Sequence, residues 1–137
     1  MNGYKNTAYW AVRILAAVIM LQTLYFKFTA SPESVYIFSS IGMEPWGRLG
    51  VGMLELVAAV LLLVNGTAWL GATLAFGLMA GAIGMHLTIL GIAVPNEDGS
   101  NDGGYLFSLA VIVTACSVVV LLFNKERIKG YWQAVLK

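Results

Sequence analysis

Charged residues are scarce in this chain. Lys and Arg together number 8 and Asp and Glu number 7, so that 11% of the 137 residues are charged, whereas 59% are hydrophobic. A soluble domain has about 25% charged and about 45–50% apolar residues. A soluble fold of this size also leaves roughly a third of its chain surface exposed. The composition therefore excludes a soluble fold and indicates a single integral membrane domain.

Cysteine and histidine are nearly absent. Cys116 is the one cysteine, which excludes an intramolecular disulfide and a C-x-x-C redox pair. His86 is the one histidine, so the chain by itself cannot supply two imidazoles to a haem. No cluster of carboxylates suits a metal centre, and the net charge of +1 includes no basic patch of the kind that binds nucleic acid. We therefore expect neither metal nor haem bound by this chain, and no nucleic-acid partner.

Long apolar runs take the place of these features. Four runs have the length of a membrane-crossing helix, at residues 8–28, 47–64, 69–92 and 105–123. The first is too long for the apolar part of a signal peptide and contains Arg13 and Gln22, so we interpret it as a retained helix. Arg13 lies near one end of that run, where snorkelling to the membrane surface would accommodate it.

The cations predict the orientation. Lys5 precedes the first run and most other cations follow the last, whereas the connectors 29–46 and 93–104 carry acids and no Lys or Arg. The rule that cytoplasmic loops are positive then predicts an antiparallel four-helix bundle with both termini cytoplasmic. Residues 124–137 form either an amphipathic helix on the cytoplasmic face of the lipid bilayer or a frayed basic tail.

Four ionisable residues fall in the outer half of this predicted bundle. They come from three different helices and are Lys27, Arg48, Glu55 and His86. A charged side chain near the middle of a membrane costs about 2.5–3.5 kcal/mol on insertion scales. We therefore expect Glu55 to face inward and to pair with one of the other three.

Two interpretations of this cluster remain open at the level of sequence. The ion pair could serve only to fix the register of the helices, or the cluster could line a polar cavity that holds a ligand or moves protons. In the second case Glu55 and His86 are the catalytic candidates, because they would handle protons. Lys27 or Arg48 would bind an anionic or carbonyl oxygen, and Gln22, Tyr25 and Tyr105 would form the rim of the ligand site.

The third run also carries a stripe of glycines. Gly77, Gly81 and Gly84 share one face of a helix and include a G-x-x-x-G motif. Such a stripe permits close helix approach. We expect packing within the bundle as its main use, with a homo-oligomer contact as the other possibility.

These features together resemble the DoxX-like family. The resemblance rests on Lys27 at the end of the first run, S-S-I-G-M-E-P at 39–45, R-L-G-V-G-M-L-E-L at 48–56, the late His86, and N-D-G-G-Y at 101–105. The family's usual Lys, Glu and His fall on Lys27, Glu55 and His86. The resemblance implies a small bacterial inner-membrane subunit linked to redox complexes, a setting that brings quinones and redox partner proteins with it.

Two functions follow as hypotheses. The first is a subunit of a membrane redox system that binds a quinone or another small polar or amphipathic molecule. The second is a non-catalytic assembly factor or accessory subunit whose polar cluster only holds the bundle together. Whether the chain is an enzyme stays open in both. A transporter fits less well, because the sequence predicts no interrupted helix and no inverted repeat.

Overall fold

The computed structural model describes residues 2–137, which form α-helices and one π-helical segment. The elements in chain order are α1 (Gly3–Phe28), α2 (Pro32–Ser40), α3 (Trp46–Leu63), α4 (Ala68–Met85), the π segment (His86–Leu90), α5 (Tyr105–Phe123) and α6 (Lys125–Val135). These described residues contain no β-strand, and an isolated bridge joins Pro95 to Asn101.

The predicted apolar runs are helical. Four helices are long and apolar enough to cross a membrane, namely α1, α3, α5 and α4 continued through the π segment to Leu90. The expectation of an all-α protein with four such helices is therefore confirmed. α1 begins at Gly3 rather than at Ala8, because Asn2 caps it by accepting a hydrogen bond from the amide of Lys5 at 3.0 Å.

The four long helices pack in a closed ring. α1 and α4 each pack against both α3 and α5. The core of this ring is rich in alanine, with Ala16, Ala17, Ala58, Ala59, Ala68, Ala72 and Ala75 among its buried members. Small side chains allow the backbones to approach, which is how helices gain packing energy where lipid is as apolar as the core.

One end of the ring, which we call the termini end, holds the start of α1, the α3–α4 turn and α6. Asn124 donates a hydrogen bond to the hydroxyl of Tyr9 at 2.8 Å, and Arg127 donates to the carbonyl of Gly66 at 2.8 Å. α6 is a helix without buried residues. Its position on the cytoplasmic face of the lipid bilayer stays a prediction. The other end, which we call the loop end, holds α2 and residues 91–104.

Arg13 links α1 to the end of α3 inside the termini end of the ring. Its side chain is only 1% exposed, so it does not snorkel outward as expected. It donates from Nε to the carbonyl of Leu62 at 2.6 Å and from Nη1 to Asn65 at 3.2 Å. Its guanidinium also lies 3.7 Å from the ring centre of Trp10. A carbonyl left free at the end of α3 and an aromatic face therefore accept this cation in place of water.

α2 covers the loop end. Ser31 caps it by accepting a hydrogen bond from the amide of Ser34 at 3.3 Å, and Pro32 occupies the first turn, where its missing amide hydrogen costs nothing. α2 contacts α1, α3 and the π segment. Residues 29–46, expected from the sequence as a connector, therefore contain a helix that the apolar runs do not predict.

Candidate functional site

A central cavity of about 550 Å³ occupies the loop-end half of the ring. All four long helices, α2, the π segment and the 91–104 loop contribute to its wall. The wall is predominantly apolar, with a few ionisable and polar side chains that include Lys27, Glu55, His86, Asp102 and Tyr105. This size and this mixture of surfaces are typical of sites for small ligands.

An ion pair lies in the wall of this cavity. Lys27 comes from the last turn of α1 and Glu55 from the middle of α3, and Nζ lies 3.0 Å from Oε2. Glu55 is 3% exposed, and its Oε2 has no partner with hydrogen-bond geometry among the described residues. The contact is therefore electrostatic more than directional. Of the three partners considered for Glu55, the structure selects Lys27.

Gly52 lies where α3 packs against α1, close to this pair. It lies one turn before Glu55 on the same face of α3. A Cβ at this position would lie 2.9 Å from the ring of Phe28 and 3.4 Å from Leu24, both on α1. A side chain here would require the Phe28 ring to move.

His86 lies where α4 changes from α-helix to π-helix. Its side chain is buried and lines the cavity, and its ring meets Phe107 edge-on at a centroid distance of 5.7 Å. Nδ1 lies 2.8 Å from the carbonyl oxygen of Gly91. Because a carbonyl only accepts, Nδ1 must carry a hydrogen, and in the neutral ring Nε2 is then an acceptor. π-Helical turns are frequent at functional sites.

Asp102 is a wall residue that the sequence did not single out. Its carboxylate accepts from the amides of Val94 at 2.8 Å, Gly104 at 2.9 Å and Leu106 at 3.1 Å. Burial raises the pKa of Asp102, but these amides and the nearby His86 outweigh burial and hold the pKa below its ordinary value. The available signal was local, since an Asp just before an apolar run is a typical helix cap.

Arg48 lies beside the site without lining the cavity. Its guanidinium makes a bidentate ion pair with Glu44, with contacts of 2.8, 2.9 and 3.0 Å. It also donates from Nη1 to the carbonyl of Lys27. Arg48 thus ties the start of α3 to the end of α1 and positions the backbone of Lys27. Its predicted role as a direct ligand contact stays a prediction.

The three predicted rim residues differ in position. Tyr105 lines the cavity and accepts a hydrogen bond from Gln22 at 3.2 Å. Gln22 does not itself line the cavity. Tyr25 is 66% exposed and packs edge-on against Phe26 at 5.5 Å, also outside the cavity wall.

The glycine stripe does not pack against another helix of this chain. A Cβ added at Gly77, Gly81 or Gly84 would have nothing within 4 Å. Gly77 and Gly81 instead line the cavity. The expected use in packing within the bundle is therefore wrong, and the homo-oligomer contact stays a prediction.

The chemistry open to this site is that of binding and proton transfer. Lys27 offers a donor, His86 an acceptor in its neutral form, and Glu55 a group that can take or release a proton. In the part of the chain that the structure describes, no three His, Cys, Asp or Glu side chains lie close enough to hold a metal ion. No protein-family model, no curated protein and no solved structure matches this chain.

Proposed function

We propose that this protein is a DoxX-like membrane subunit that binds a small lipid-soluble molecule with a polar, oxygen-bearing head group in the central cavity. A quinone is the ligand class that we favour, and a membrane redox system is its setting. The observation that carries this proposal is the Lys27–Glu55 ion pair in the wall of an otherwise largely apolar cavity of about 550 Å³. An apolar pocket with a few converging polar groups is the usual form of a ligand site.

The competing interpretation is that the ion pair only fixes helix register. A buried ion pair often contributes little net stability, because desolvation offsets the attraction of the charges. A pair with a purely structural role needs no cavity beside it, whereas this one shares a cavity wall with His86 and Tyr105. The bond from Arg48 to the carbonyl of Lys27 already ties α1 to α3 at the same end.

The residues then have distinct roles. Lys27 Nζ donates to a carbonyl or phenolate oxygen of the head group, and neutral His86 accepts from a hydroxyl through Nε2. Glu55 balances the charge of Lys27 and takes up or releases a proton when the head group changes protonation state. Electrons come from a redox partner protein, because these side chains offer proton and charge chemistry only.

The same proposal includes the topology. Neighbouring long helices run antiparallel, an arrangement supported by the contacts of Arg13 with Leu62 at one end and of Arg48 with Lys27 at the other. Lys5, Lys125, Arg127 and Lys129 belong to the termini end, and the acids Glu97, Asp98 and Asp102 to the loop end. Both termini therefore face the cytoplasm of a bacterial cell, and the cavity lies in the outer half of the inner membrane.

The first test is ligand retention by the purified protein. Native mass spectrometry in detergent compares the wild type, Glu55→Gln and Glu44→Gln. Glu44→Gln is the matched control, because it weakens an ion pair at the same end but outside the cavity. We expect a small molecule, or added ubiquinone, on the wild type and on Glu44→Gln and its loss from Glu55→Gln.

A double variant separates binding from stability. Lys27→Met alone leaves a buried unpaired carboxylate and should cost about 3–5 kcal/mol, whereas Lys27→Met with Glu55→Met should restore most of that stability. We expect the stable double variant to bind no quinone. Equal quinone binding by the double variant and the wild type would show that the pair is purely structural. A wild type that binds no quinone but holds one protein partner would favour the assembly factor.

A further inference from the structure

The first observation is that the cavity reaches the protein surface on the side of α3 and α4, in the loop-end half of the ring. Near the turn that joins them the two helices touch, since a Cβ on Gly71 would lie 2.6 Å from the amide nitrogen of Leu62 and 2.8 Å from the carbonyl of Ala58. Two and three turns further along α4, a Cβ on Gly77 or Gly81 would meet nothing within 4 Å. Both glycines are exposed and both line the cavity. The cavity therefore opens sideways at these glycines.

The second observation concerns α2. This helix contacts α1, α3 and the π segment, and its Ile37 and Phe38 form part of the cavity wall. α2 thus covers the cavity at the loop end of the ring. The side at Gly77 and Gly81 has no such cover in the described chain.

The third observation is the nature of the surroundings. The outer surface of α3 near the opening is apolar, with Leu54 and Val57 each 45% exposed. In a bilayer these side chains contact acyl chains. Inside, the buried Glu55 and its ion-pair partner Lys27 line the cavity. The path from the opening to Glu55 leads from an apolar exterior to a polar interior.

We propose that the ligand carries a long apolar chain, and that this chain leaves the cavity between α3 and α4 across Gly77 and Gly81 while the head group lies at Lys27 and Glu55. This inference rests on the proposed function and specifies its ligand as a chain-bearing amphipathic molecule. This ligand reaches the site from within the bilayer and not from water. The glycines matter because any larger side chain would narrow the opening.

The test compares two probes on three variants. The probes are ubiquinone-10, which has a long isoprenoid chain, and the same ring without a chain, ubiquinone-0. Gly81→Leu places a side chain in the opening. Gly84→Leu is the matched control, because Gly84 belongs to the same stripe and also faces open space but does not line the cavity. Glu55→Gln removes from the cavity wall the carboxylate that pairs with Lys27.

The expected results differ for each variant. Gly81→Leu weakens the binding of ubiquinone-10 by about tenfold or more, the equivalent of a few lost methylene contacts, and leaves ubiquinone-0 nearly unchanged. Gly84→Leu changes neither affinity, and Glu55→Gln weakens both. Thermal unfolding in detergent verifies that both leucine variants fold.

Other outcomes overturn one proposal or both. Unchanged binding of both probes to Gly81→Leu would contradict the lateral opening but not the proposed binding site. Equal loss of both probes from Gly81→Leu shows that the leucine fills the cavity itself, which also contradicts a path for the chain. If the wild type binds neither probe, both the proposed quinone site and the proposed opening are contradicted.

Discussion

At the scale of single residues, the cations Lys27, Arg48 and Arg13 each have different partners. Lys27 pairs with the carboxylate of Glu55, and Arg48 with that of Glu44. Arg13 has no acidic partner in the described chain and uses a helix-end carbonyl and the face of Trp10. Only the first of these three lies in the wall of the cavity. The two arginines hold helices together, and Lys27 is the cation available to a ligand.

Asp102 supports a prediction about pH. Its pKa is lowered in the folded protein, so the free energy of unfolding should include a contribution that is complete above its unfolded pKa of about 3.9. This contribution is lost as the pH falls through the lower, folded pKa. In Asp102→Asn an amide NH2 replaces the Oδ2 atom that accepts a hydrogen bond from the amide of Leu106. The variant should therefore be less stable by about 1–3 kcal/mol near neutral pH.

Denaturant unfolding in detergent between about pH 3 and pH 7 checks the sign. The difference in the free energy of unfolding between the wild type and Asp102→Asn should be largest near pH 7 and should shrink below about pH 4. Glu97→Gln is the control, because Glu97 lies exposed in the same loop and its carboxylate makes no hydrogen bond or ion pair in the described chain. A difference that grows as the pH falls would contradict this account of Asp102.

At the scale of elements, the α3–α4 pair shows that glycines on one helix differ in their function. Gly71 is required by a close approach, whereas Gly77 faces open space. Gly71→Ala should therefore lower the free energy of unfolding by about 1–3 kcal/mol through overpacking. Gly77→Ala should leave it unchanged or raise it by up to about 1 kcal/mol, because alanine is the better helix former.

Thermal or detergent-induced unfolding of the two alanine variants, measured side by side, distinguishes these cases. Equal destabilisation by both would mean that Gly77 also packs closely against another helix or a second copy of this chain. That outcome would favour the homo-oligomer contact.

At the scale of the whole molecule, the charges at the two ends predict the orientation. Alkaline phosphatase folds only outside the bacterial cytoplasm, so it reports the side of the membrane on which it lies. Inserted after Gly99 in the loop-end segment it should be active, and appended after Lys137 it should be inactive. A fluorescent protein appended after Lys137 should in turn be bright, and the reverse pattern at both positions would contradict the proposed topology.

The sequence by itself determined the features that depend on local composition. Runs of apolar residues specify four membrane-length helices, because a backbone in lipid must satisfy its hydrogen bonds within the segment. The few polar residues within these runs were candidates for a buried cluster for the same reason, and the structure does bring Lys27 and Glu55 together with His86 around one cavity.

The tertiary structure decided the features that depend on contacts between distant residues. Lys27, Arg48 and His86 were all candidates to pair with Glu55; in the structure Lys27 lies 3.0 Å from Glu55, and Glu44 pairs with Arg48. The glycine stripe could pack or stay open, and in the structure no neighbouring helix lies against it. Pairing and packing depend on distances across the bundle, which residue spacing along one helix does not encode.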